Sequence, residues 1–268
     1  ATMNKAKVQF TGAAVYTGSA VKPDCTLTMP VKVNGVTQNV PLVKDTDYTV
    51  SYTNNIKAGK ATVTVKGKGN YTGSKKVNFQ IMKNVSGVKA ASAGYDSVKV
   101  SWEKATGVTG YKVYRADSKN GKYKCVKTVK GEKTTSYKDK KLTAGKTYYY
   151  QVKPYLGKKE GSASKKVSAK PVPAKATLSS VKNSGSKTVT VKWKKVSGAS
   201  GYEIYSATSK NGKYKKVATV KKGGTTSFKN TKLKKGKTYY YKVRAYCTVN
   251  GKKVYGKYSE VKSVKVKK

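Results

Sequence analysis

The sequence predicts an all-β protein built as three tandem β-sandwich domains, and three observations carry that expectation. Val, Thr and Tyr recur in short runs separated by Gly and Asn, the composition of twisted sheets joined by tight turns. Side chains alternate with a period of two, so that Val98, Val100 and Trp102 share one face of a strand while Lys99, Ser101 and Glu103 share the other. A repeat at a constant spacing of 91 residues, seen in Trp102 and Trp193, then divides the 268-residue chain into thirds, each able to bury a modest core.

Residues 1–83 form the first expected domain. Tyr48, Val50 and Tyr52 alternate against Thr49, Ser51 and Thr53, which argues for a strand, and Asn34-Gly35 supplies a hairpin turn. The segments Tyr16-Thr17-Gly18, Asp47 to Tyr52 and Gly69-Asn70-Tyr71-Thr72-Gly73 precede an alternating Val77, Phe79 and Ile81. In these motifs the first third resembles the small Ig-like β-modules of secreted surface proteins from Gram-positive anaerobes. Such modules commonly sit beside fibronectin-like repeats.

Residues 84–172 and 173–268 are the two copies of the repeat. Gly110-Tyr111 matches Gly201-Tyr202, and Ser118 to Tyr123 recurs unchanged as Ser209 to Tyr214. Gly145 to Tyr150 recurs as Gly236 to Tyr241, after which the second copy carries about four extra residues within Cys247 to Lys257. Asn120-Gly121 and Asn211-Gly212 lie between apolar runs at a spacing suited to type I′ hairpins. A Trp closing the second strand, together with Leu142-x5-Tyr148 and Leu233-x5-Tyr239, resembles fibronectin type III domains. That resemblance implies core positions for Trp102 and Trp193. It also implies a tyrosine corner at Tyr148 and Tyr239, each hydroxyl bonding back to the backbone upstream.

Short linkers join the domains: Met82-Lys83-Asn84, and Lys170 to Pro173 with two stiffening prolines. A semi-rigid, elongated rod and a monomer are expected. The chain opens in mid-domain style at Ala1-Thr2-Met3, so a longer parent protein is expected.

Chemistry has few residues to work with. Histidine is absent, which removes the commonest general base and the commonest zinc ligand. Asp45 and Asp47 precede Asn54 and Asn55, but their spacing matches no EF-hand and suits turns; Asp117 and Asp139 stand near strand ends. Arg115-Ala116-Asp117 has no counterpart in Ser206-Ala207-Thr208 and reads as a chance tripeptide. Cys25, Cys125 and Cys247 are odd in number and widely spaced, suited to small buried hydrophobes or free thiols. No enzyme, cofactor, metal site or membrane span is expected.

Charge gives the functional direction. The chain carries 59 basic residues against 11 acids, a net +48, distributed as +9, +15 and +24 over the three thirds. Such a field draws anionic partners, and its lysines attract diffusely where arginine forks would read specifically. We therefore expect an extracellular, secreted or cell-surface stalk whose basic repeats associate with anionic cell-wall polymer. The alternatives are an adhesin for host glycan or glycoprotein and a spacer within a larger secreted enzyme; no motif for reading nucleic acid is present. The candidate ligand patch is the extended loop of the third domain, where Tyr246, Tyr255 and Tyr258 accompany Lys252, Lys253 and Lys257. A packed loop is the alternative.

Overall fold

The computed structural model describes residues 1–267, and among them there is no α-helix. A single 3-10 turn at Met3–Lys5 precedes β1 (Lys7–Phe10), β2 (Cys25–Val33), β3 (Val36–Pro41), β4 (Tyr48–Thr53), β5 (Gly59–Gly67) and β6 (Ser74–Ile81). These strands form two three-stranded antiparallel sheets, β1-β2-β3 and β4-β5-β6. Leu27 and Met29 of one sheet meet Ala61, Val63, Val65, Phe79 and Ile81 of the other to make the core. The alternation seen in the sequence is the alternation of this burial.

The second unit contains β7 (Lys89–Gly94), β8 (Ser97–Ser101), β9 (Gly110–Ala116), β10 (Lys124–Lys130), β11 (Ser136–Asp139), β12 (Tyr148–Leu156), β13 (Lys159–Glu160) and β14 (Val167–Ala169). The third repeats it with β15 (Leu178–Gly185), β16 (Thr188–Trp193), β17 (Gly201–Ala207), β18 (Lys215–Val220), β19 (Ser227–Asn230), β20 (Thr238–Val249), β21 (Lys252–Tyr255) and β22 (Lys262–Lys265). Each unit pairs a three-stranded sheet with a five-stranded one, β11-β8-β7 with β10-β9-β12-β13/β14, and β15-β16-β19 with β18-β17-β20-β21/β22.

The 91-residue register holds in three dimensions. Trp102 and Trp193 are buried, each 5.2 Å in ring centroid from Tyr111 or Tyr202. Those two tyrosines are fully buried, so their hydroxyls need partners. The Ala105 amide donates to Tyr111 at 2.9 Å and Tyr111 donates to the Glu132 carbonyl at 2.8 Å; Val196, Tyr202 and Gly223 repeat the arrangement. The Thr143 amide donates to the Tyr148 hydroxyl at 3.0 Å, and the Lys234 amide to Tyr239 at 3.1 Å.

The structure corrects the turn expected at Asn120-Gly121 and Asn211-Gly212. Neither pair has the positive φ of a type I′ turn. Instead the Gly121 amide donates to the Ser118 carbonyl at 3.2 Å, Gly212 does the same to Ser209 at 3.3 Å, and seven residues connect β9 to β10. Tyr123 and Tyr214 donate their hydroxyls to the Lys119 and Lys210 carbonyls, closing the loop. A Cβ at either glycine would press closely only on the Ser118 or Ser209 hydroxyl, the movable end of a short side chain. Positive φ occurs instead at Asn34-Gly35, in the two-residue turn between β2 and β3.

Candidate functional site on the outer sheet of the third unit

The extra residues of the third unit do not make a loose loop. β20 continues to Val249, turns at Asn250-Gly251 with φ of 48° and 73°, and returns as β21. Tyr246 pairs with Tyr255, Thr248 with Lys253 and Val249 with Lys252. Tyr246, Lys252, Lys253 and Tyr255 therefore stand on strands, with Lys257 and Tyr258 just beyond. Asn-Gly between two alternating runs was the sequence signal for this hairpin.

Glu203 organises the face. In β17, Tyr202 and Ile204 point into the core, which sends Glu203 and Tyr205 to the other side. By alternation Glu203 belongs to solvent, yet it is 1% exposed. Long neighbours from β18, β20 and β21 cover it. Arg244 donates from Nε (3.1 Å) and Nη2 (2.7 Å), Tyr205 from its hydroxyl (2.9 Å), Tyr255 at 3.1 Å, Lys253 at 3.2 Å and Lys216 at 3.5 Å. Burial opposes ionisation of this carboxyl, but those donors outweigh it and hold the group down at about 2. A carboxylate fixed there exchanges no proton near neutrality, so its work is structural.

The tyrosines and cations beside it alternate. Lys242 Nζ lies 4.3 Å from the Tyr214 ring centroid and 4.4 Å from Tyr258; Arg244 lies 5.0 Å from Tyr258 and 3.7 Å from Tyr255; Lys253 lies 4.4 Å from Tyr246. Tyr258 also meets Tyr205 edge-on at 5.2 Å. The three candidate tyrosines are thus brought together, but with ring faces occupied by cations and with Tyr246 buried. Lys252 and Lys257 stay exposed.

The second unit solves the same face differently. Lys112, Tyr114 and Lys153 occupy the positions of Glu203, Tyr205 and Arg244, and the carboxylate comes from Glu160 on β13, opposite Tyr155 as Tyr255 is opposite Tyr246. Glu160 accepts from Lys112 at 2.6 Å, Tyr114 at 2.9 Å and Lys153 at 3.3 Å. The Lys112 hydrogen bond leads in holding Glu160 below its ordinary value.

A second group was not legible as a site. Asp139, placed near a strand end by the sequence, is 3% exposed and accepts from Arg115 Nη1 at 2.9 Å and from Tyr150 at 3.0 Å. Asn230 and Ser206 stand at these two positions in the third unit, where Asn230 donates to Tyr241 at 2.9 Å. The charged pair has been replaced as a unit. Asp117 is exposed beside Lys146 at 2.9 Å.

Elsewhere, Asp45 and Asn54 take positive φ, and Asp47 accepts the Val43 amide at 2.8 Å, as turn residues do. No group of three metal-ligating side chains occurs among the described residues. All three cysteines are free; Cys247 is buried and Cys25 half-buried, while Cys125 is exposed, contrary to a buried hydrophobe, because β10 is an edge strand. Among the described residues no helix is long and apolar enough to cross a membrane.

The long hairpin also touches the neighbouring unit. A side chain added at Gly145 would press on Val254, and one at Gly256 would strike the Pro173 carbonyl in the linker. Gly107 and Gly198, 91 residues apart, both sit at joints: a Cβ on the first would collide with the Ile81 carbonyl and on the second with the Tyr95 ring.

Comparison with known proteins agrees with the repeat. Among solved structures, the FN1–FN3 domains of chicken CNTN1 share 16% identity over 98% of each chain, with a TM-score of 0.35. A two-domain segment of chicken tenascin shares 18% identity over 69% of this chain and 99% of its own, with a TM-score of 0.42. An Fn3-like protein from Clostridium thermocellum shares 24% over 33% of this chain and 91% of its own, with a TM-score of 0.30. No curated protein matches the chain significantly. Domains of the fibronectin type III kind commonly serve as non-catalytic stalk or binding modules and are typical of extracellular proteins. The fibronectin type III domain family matches residues 83–170 and again 174–262, and the chain belongs to that family.

Proposed function

We propose that the chain is the stalk of a secreted or cell-surface protein, with its basic repeats lying against anionic cell-wall polymer. The Ig-like first unit, residues 1–83, faces outward, and residues 84–172 and 173–268 supply the contact. The carrying observation is how the third unit spends its two acids. Glu203 is enclosed by three cationic side chains, and Glu260 pairs with Lys175, so the remaining lysines keep little counter-charge of their own. A polyanion supplies it from outside. Lys252 and Lys257 of the candidate patch belong to that cationic surface, and the stacked tyrosines brace it.

Co-sedimentation with purified walls, before and after removal of their anionic polymers, tests this reading. Retention that falls on stripped walls and weakens steeply between ~0.05 and ~0.5 M salt supports it. Equal retention on stripped walls defeats it, and saturable binding to a host glycan at ~0.5 M salt would favour the adhesin reading.

A further inference from the structure

The β2–β3 hairpin of the first unit ends in an exposed, uncharged edge strand. Residues 33–43 contain no charged side chain in a chain whose net charge is +48. Among the described strands, β3 alone is exposed at every residue, and β2 is its one partner in the sheet. Most edge strands of the repeats carry lysine, as in β10 with Lys124, Lys127 and Lys130, which discourages pairing between chains. β3 has no such guard.

The apolar face of the hairpin is uncovered as well. Leu27 and Met29 of β2 are buried in the core, and the same face continues through Val31 and Val33, which are 38% and 44% exposed. Across the hairpin Val33 pairs with Val36 and Met29 with Val40; Val36 is 64% and Val40 38% exposed. Around the two-residue turn, the Val33–Val36 pair exchanges hydrogen bonds, so Thr37 and Asn39 turn their amides and carbonyls outward. Pro41 follows at the next outward position, where a missing donor costs nothing within the sheet.

We infer that two copies of this chain associate edge to edge through β3, antiparallel, about a two-fold axis at Gln38. Thr37 then exchanges backbone hydrogen bonds with Asn39 of the other copy, and Val36 lies opposite Val40. The charge pattern selects a second copy as the occupant. Two molecules of +48 can approach only where lysines do not oppose one another, and here none do. Lys32 pairs with Thr37 one strand in from the edge. Three strand spacings of about 4.8 Å separate it from the Lys32 position across the axis, beyond the Debye length of about 8 Å at physiological salt. This departs from the monomer expected of the sequence. The contact is small, so association is concentration-dependent and strengthened by screening salt.

Sedimentation equilibrium of the full chain from ~10 µM to ~1 mM in ~0.5 M salt tests the inference, together with amide exchange at Thr37 and Asn39. Dimer is expected to accumulate with concentration while exchange at those two amides slows in parallel. Asn39→Pro, which removes an outward donor, and Val36→Lys, at an exposed position, are each expected to weaken association at least about tenfold. Circular dichroism should show both variants folded. Mixing Val36→Lys with Val40→Glu should restore association, because the proposed register sets those side chains opposite each other. A chain that stays monomeric throughout overturns the inference and leaves the edge to an extended segment of another protein. Association that survives both substitutions also overturns it, by placing the contact elsewhere.

Discussion

Arg244 faces Glu203 across β17 and β20, its Nη2 2.7 Å from the carboxylate, at the positions where the preceding repeat has Lys153 and Lys112. The face needs one buried carboxylate to hold its cations and tyrosines together, and the two repeats supply it from different strands. With the acid on β17 in place of β13, Tyr255 stands where Glu160 stands in the second unit and donates to the carboxylate.

Acid should therefore unfasten the third unit. The Glu203 carboxyl is held down at about 2 from an ordinary 4.5, so its stabilisation is complete above about 4.5 and is lost as pH falls toward 2. The size is about 3 kcal/mol. Glu260, the third unit's other acid, is exposed and contributes little. In a Trp102→Phe background, Trp193 fluorescence reports this unit during denaturation. Glu203→Gln is expected to lower stability at pH 7 by about 3 kcal/mol and to flatten the acid slope. An unchanged slope would contradict the assignment.

Arg115 and Asp139 should behave as one feature. Removing Arg115 alone leaves a buried carboxylate with only Tyr150, at an expected cost of about 3 kcal/mol. The double change Arg115→Ser with Asp139→Asn copies the third unit and should recover most of it. Denaturation of the four members of the cycle in a Trp193→Phe background, read through Trp102, should give a coupling of about 1–3 kcal/mol.

Much of this fold was legible because strand alternation and the repeat are properties of the sequence alone. The offset from Trp102 to Trp193 also located Tyr111 and Tyr202, whose hydroxyl bonds recur atom for atom. Glu203 was not legible, since alternation correctly sends it outward and only the lean of Arg244, Tyr205 and Tyr255 buries it. Asp139 failed for the opposite reason: its place at a strand end is real, but the depth of that end depends on Arg115 and Tyr150 arriving from β9 and β12. The candidate tyrosines were found by proximity in sequence to lysine. What that proximity encoded was a stack, because cations adjacent along the sheet cover the rings.

The two kinds of Asn-Gly separate by a glycine test. Gly35 has φ of +81°, which disfavours any side chain, so Gly35→Ala should cost about 1–2 kcal/mol in the first unit. Gly121 has an ordinary backbone, and an added Cβ meets only the end of the mobile Ser118 side chain. Gly121→Ala should cost less than about 1 kcal/mol. Thermal denaturation of both variants decides it, and equal costs would restore the type I′ reading.

The long hairpin of the third unit should act at the joint. Its counterpart, the Leu156 to Lys159 turn, faces the first unit, where Lys159 donates to the Phe10 carbonyl at 2.9 Å. In the third unit, four more residues carry Val254 to Gly145 of the second, and the Gly145 amide is itself held by the linker carbonyl of Pro171 at 2.9 Å. Val254 is only half-buried, so Val254→Ser should change the third unit's own stability by less than about 0.5 kcal/mol. It should nevertheless broaden the distribution of distances between spin labels placed on the second and third units. Tyr95→Ala, which removes the ring against Gly198, should broaden it further. A distribution unchanged in both variants would show that the prolines of the linker set the joint without the hairpin, since Pro171 and Pro173 remain in place.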